Sequence, residues 1–111
     1  MDRPQLLAER DRLDKQVRAL TQDFDAIVES SELVSTDDEH DPDGSTLAYE
    51  RAKATALLDT AQRDLRALDL AIARAASGTY GRCSSCGDDI GAERLGALPA
   101  TSLCITCATA R

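Results

Sequence analysis

Cys83-Ser84-Ser85-Cys86 and Cys104-Ile105-Thr106-Cys107 decide what the C-terminal part of this chain becomes, and seventeen residues separate them. Each is a C-x₂-C hook. Two such hooks at this separation converge on one tetrahedral Zn²⁺ at Zn–S distances of roughly 2.3 Å, with backbone N–H groups turned back toward the thiolates. Two disulfides are the main competing reading, but neither terminus carries the apolar targeting stretch that accompanies an oxidising compartment. A thioredoxin-type redox pair fits less well still, because no strand–helix–strand pattern surrounds either hook. Four thiolates close a tetrahedral ion and leave no position for a reactive water. The expected metal, held by Cys83, Cys86, Cys104 and Cys107, is therefore structural.

Upstream of the hooks the apolar pattern is helical. Asp2, followed three residues later by Gln5, with Pro4 between them, reads as a capping-box start. Leu6, Leu13, Val17, Leu20, Phe24 and Ile27 then recur in the alternating steps of four and three that mark a coiled-coil seam, with Arg10 and Ser31 as non-apolar members. A second seam runs through Leu47, Ala54, Leu58, Ala61, Leu65, Leu68, Ile72 and Ala75, with Arg51 as its imperfect member. It stops at Ser77-Gly78, where glycine can take the left-handed conformation that ends helices. Residues 35–45, Ser-Thr-Asp-Asp-Glu-His-Asp-Pro-Asp-Gly-Ser, read as the turn between the seams.

Two helices that fold back on each other bring together residues whose numbers have a nearly constant sum. Leu6 with Ala75, Leu13 with Leu68, Leu20 with Ala61 and Ile27 with Ala54 share the sum 81, and Val17 with Leu65 and Phe24 with Leu58 share 82. The expected fold is mainly α: a long antiparallel coiled-coil hairpin over residues 1–78, then a small four-cysteine zinc finger over residues 79–111. At ~1.5 Å per residue, arms of about 30 residues would reach roughly 45 Å, with the acidic turn at the tip.

Composition narrows the function. The chain has 111 residues, one Phe, two Tyr and no Trp, too few bulky side chains for a large globular core. Its net charge is −7, or −9 with four thiolates and one dication counted, which disfavours direct DNA binding. No run of eighteen apolar residues spans a membrane, and reduced cysteines imply a cytoplasmic protein. Residues 21–50 hold ten Asp and Glu and no Lys or Arg. Such a cluster is either a solvated loop or a group of carboxylates presented to a cationic or metal-containing target. The sequence has no EF-hand, no glycine-rich phosphate loop and no catalytic triad, and His40, its one histidine, reads as a loop residue.

Tyr80-Gly81-Arg82-Cys83-Ser84-Ser85-Cys86-Gly87-Asp88-Asp89-Ile90-Gly91-Ala92-Glu93-Arg94-Leu95-Gly96-Ala97-Leu98-Pro99, closing with Leu103-Cys104-Ile105-Thr106-Cys107, resembles the zinc finger of the DksA/TraR family. That family's hairpin precedes its finger, so the resemblance covers the chain from Leu6 to Cys107. It implies a non-enzymatic transcription regulator that binds bacterial RNA polymerase, inserts its tip through the secondary channel and acts in some members together with ppGpp. It also implies functional tip aspartates. The family's pattern is two aspartates three apart with an alanine two further on, which Asp38 and Asp41 match, Asp43 replacing the alanine. Counting back from Cys83 instead makes Asp43 the second aspartate, with His40 in the first place. Only four residues follow Cys107, so little of the family's C-terminal helix is expected, which weakens the case for a ppGpp site.

Within the finger, Arg82 and Arg94 are expected to pair with Asp88, Asp89 and Glu93, Tyr80 to pack the finger on the hairpin base, and Thr101 or Ser102 to cap a short helix carrying Cys104 and Cys107. Alternative functions are a coiled-coil adaptor for another protein or a transcript-cleavage-type factor whose tip carboxylates position Mg²⁺. A zinc-ribbon nucleic-acid binder is disfavoured by the charge and the scarcity of stacking aromatics.

Overall fold

The computed structural model describes the backbone of residues 2–33 and 42–110 and the side chains of residues 2–30 and 46–110. Four helices form: α1 (Arg3–Leu33), α2 (Pro42–Ser77), α3 (Ala92–Ala97) and α4 (Ile105–Thr109). α1 and α2 pack as the hairpin that the seams predict.

The ends of the long helices have identifiable causes. The Asp2 backbone N–H donates to Gln5 Oε1 at 2.8 Å, and the Gln5 N–H donates to Asp2 Oδ1 at 3.0 Å, so two otherwise orphaned donors satisfy each other's side chains. α2 begins at Pro42, inside the stretch expected to be turn, because a fixed φ and a missing N–H suit proline to the first helical position. At its other end Gly78 has φ +81°, its N–H meets the Ala75 carbonyl at 3.4 Å, and the Thr79 N–H meets the Arg74 carbonyl at 2.9 Å. Those two bonds are a Schellman closure, which needs a left-handed residue where the glycine lies.

The chain divides into two compact units. One comprises Met1–Leu13 with Asp64–Arg111. Its helical part buries Leu6, Leu68 and Ala71, and Arg10 forms an ion pair with Asp69 from the facing helix. Ala71 is not in the expected seam, which steps from Leu68 to Ile72 and passes over it; in the structure Ala71 is buried and Ile72 half-buried.

The second unit is Asp14–Arg63. Ala54 and Ala61 are its buried side chains among the described residues, while Val17, Leu20, Phe24, Ile27 and Leu58 are half-buried. Small residues under large ones are what closely packed helices require. Arg51 is exposed, as an imperfect seam member should be. Asp38, Asp41 and His40 lie outside the described residues, and Asp43 belongs to the first turn of the α2 backbone.

Candidate metal centre

The first hook is shaped by its own backbone. The Gly87 N–H donates to the Cys83 carbonyl at 2.9 Å with Gly87 at φ +80°, and the Cys83 N–H donates to the Asp88 carbonyl at 2.8 Å. An isolated bridge between Arg82 and Asp89, and a 2.8 Å bond from the Ile90 N–H to the Gly81 carbonyl, close the loop behind it. The glycine lets the chain reverse tightly enough to bring Cys86 back beside Cys83.

The second hook is built differently. Cys104 is itself the N-cap of α4, its sulfur accepting the Cys107 N–H at 3.4 Å. The helix is not capped by Thr101 or Ser102, as the sequence suggested. The Cys104 sulfur is an acceptor in the capping position already, and the Thr101 hydroxyl turns instead to the Leu103 backbone. A 2.8 Å bond from the Ser84 N–H to the Ser102 carbonyl fastens the two hooks together.

The four sulfurs converge, all lying within 4.8 Å of one another. Cys86 Sγ and Cys104 Sγ are 3.8 Å apart, which matches the edge of about 3.8 Å in a tetrahedron with Zn–S bonds near 2.3 Å. It is far too long for a disulfide, and all four cysteines are free thiols. Cys83 and Cys104 are buried in a small core with Ile90 and Leu95, against which Tyr80, Leu103 and Cys107 pack.

Close packing of the sulfurs pulls the acidities of Cys83, Cys86 and Cys107 apart. Backbone N–H groups of Cys104, Cys86 and Ser85 draw the Cys83 thiol down to about 6. At Cys86 the Asp88 N–H favours the thiolate, but the sulfurs of Cys107, Cys83 and Cys104, with burial, outweigh it and push the thiol up to about 12. Cys107 is also raised, first by Cys104. Like charges this close cannot all ionise unless a cation lies among them. The donor set, four soft sulfurs in tetrahedral spacing, fits Zn²⁺.

The finger's arginines do not pair with its acids. Arg82 donates to the Gly87 carbonyl at 3.4 Å and Arg94 Nε to the Leu103 carbonyl at 2.9 Å. Neither forms an ion pair with Asp88, Asp89 or Glu93 among the described residues, because nearby carbonyls without helical partners supply acceptors at shorter reach. Tyr80 packs on the finger core and donates its hydroxyl to the Pro99 carbonyl at 2.9 Å, its ionisation pushed up by burial against the opposing pull of Arg74. Arg74, on α2, reaches the finger's Ala100 and Thr101 carbonyls, a role that no sequence pattern signalled.

Residues 78–111 match the family model of the prokaryotic dksA/traR C4-type zinc finger. The fold extends the match: transcription factor DksA2 from Pseudomonas aeruginosa superimposes with a TM-score of 0.78 at 27% identity, over 96% of this chain and 76% of that one. The C-terminal finger is therefore of the DksA/TraR type, and the fold of the chain is DksA-like. A 44-residue segment, 40% of the chain, is 46% identical to an uncharacterized protein of Aquifex aeolicus (strain VF5), of which it covers 30%. As a C4-type finger of this family, the four-cysteine cluster is a zinc site. No helix among the described residues is long and apolar enough to cross a membrane.

Proposed function

We propose that this chain is a DksA/TraR-type, non-enzymatic transcription regulator of the bacterial cytoplasm that binds RNA polymerase and acts through the tip of its helical hairpin. One observation carries the reading: the fold match to a transcription factor runs through hairpin and finger alike, over 96% of the chain. Cys83, Cys86, Cys104 and Cys107 hold one Zn²⁺. With four sulfur ligands the ion has no open position, so it shapes the finger and performs no chemistry. The active groups are the tip carboxylates, Asp38 and Asp41, with Asp43 as the rival from the register counted back from Cys83.

In this scheme the hairpin enters the polymerase secondary channel, and the tip carboxylates alter the field at the active centre. Binding and action then reside in different residues. Neutralising only the tip with Asp38→Asn and Asp41→Asn should leave polymerase affinity within about tenfold of wild type, about 1.4 kcal/mol, and abolish the change in promoter-complex lifetime. Adding Asp43→Asn decides between the two registers. A triple variant that still regulates normally would reduce the tip to a solvated loop. Adding ppGpp to the purified complex tests whether the nucleotide takes part.

A further inference from the structure

Five consecutive carbonyl oxygens, those of residues 99–103, are each taken up by a donor from another part of the chain. Tyr80 Oη donates to Pro99, Arg74 Nη2 to Ala100 at 3.5 Å and Thr101 at 3.4 Å, the Ser84 N–H to Ser102, and Arg94 Nε to Leu103. The segment is half-buried and belongs to no helix or strand, so its peptide groups need partners from outside. It runs directly into Cys104. Wherever the second hook goes, these carbonyls go with it.

Arg74 is held at both ends of its length. Its carbonyl accepts the N–H groups of Thr79 and Tyr80 and the hydroxyl of Ser77, closing α2, while its guanidinium grips two of the five carbonyls. The unit containing the finger also contains this end of α2. We propose that Arg74 is a coupling residue, tying the metal state of the four cysteines to the order of the last turns of α2. When zinc holds Cys104 beside Cys83 and Cys86, the Ala100 and Thr101 carbonyls are fixed where the guanidinium reaches them. When zinc leaves, Cys104 is released, the carbonyls disperse and the last turns of α2 lose their anchor on the finger. The proposal rests on zinc occupancy of the site and is independent of polymerase binding.

The test uses the full chain, zinc-loaded and after chelation, with metal content read by native mass spectrometry and backbone order by hydrogen exchange over residues 66–77. In wild type, removing zinc should speed exchange there by roughly tenfold or more. Arg74→Met keeps the helix-forming stem and deletes the donors. It should still bind one zinc, exchange over residues 66–77 at nearly the metal-free rate, and respond to chelation by less than about twofold. Because coupling is reciprocal, its apparent zinc affinity should fall by roughly five- to tenfold. Arg74→Lys, which restores a cationic donor, should recover part of the zinc response. A wild type without metal would overturn the zinc reading and the coupling together. A zinc-loaded wild type whose α2 ignores chelation, or an Arg74→Met variant that responds as wild type does, would overturn the coupling alone. So would an Arg74→Met chain unable to bind zinc, since Arg74 would then be part of the metal scaffold.

Discussion

The two compact units are stabilised in opposite ways. Asp14–Arg63 carries twelve Asp and Glu against five Lys and Arg, the whole net charge of −7, whereas the remaining residues hold eight of each sign. The acidic unit buries only two alanines among its described residues and relies on a repeating seam. The charge-balanced unit fixes named atoms against named atoms: a capping box, a Schellman closure, four converging sulfurs and five claimed carbonyls. A seam tolerates approximate substitution as long as the stripe stays apolar. A bonded loop does not, because each lost partner leaves a half-buried polar group unsatisfied.

The contrast breaks most sharply at the metal. Chelation, or Cys83→Ser, should remove on the order of 10 kcal/mol of apparent binding free energy from the finger and leave much of the Asp14–Arg63 helix intact by circular dichroism. Loss of all helix on chelation would mean that the units are not stabilised separately. The same site predicts a pH dependence. In the metal-free protein the raised thiols of Cys86 and Cys107 are protonated at neutral pH, so zinc must displace their protons. Affinity should rise with pH by about tenfold per unit for each proton displaced, and fall as pH drops. Zinc titrations at pH 6, 7 and 8 with proton-release calorimetry check the sign.

Within the acidic unit, Leu20→Asp should cost about 2–4 kcal/mol by placing a charge in the seam opposite Ala61, while Gln22→Asp on the exposed face should stay within about 0.5 kcal/mol. Urea midpoints compare them directly. Equal effects would mean that the seam does not hold this unit. The smallest effect sharpens the other side of the comparison: Asp2→Ala removes one acceptor of the reciprocal cap and should cost about 1 kcal/mol, read as a lower midpoint with unchanged slope.

Much of the candidate site was legible because its chemistry belongs to residue identity. Cysteine spacing named the ligands, and Asp2 with Gln5 named the helix start, since a cap depends on residues three apart. The errors fell where partners are distant in sequence. Arg82 and Arg94 were assigned to acids nearby in the chain, and the fold gave them carbonyls. Cys104 took the capping role expected of Thr101 or Ser102. Ala71 falls outside the seam because strict steps of four and three select Ile72, whereas the fold buries the neighbouring small residue.

By itself, then, the sequence determined the helix periodicity, the pairing of the two long helices as a hairpin and the two cysteine hooks, all of which follow from spacing and side-chain type. Only the tertiary structure decided that the sulfurs approach to tetrahedral spacing, that the finger shares a compact unit with the base of both long helices, and that Arg74 joins them. The reason is physical. Backbone carbonyls are identical in every residue, so which of them a side chain finds is fixed by where the folded chain brings it, and no one-dimensional pattern records that.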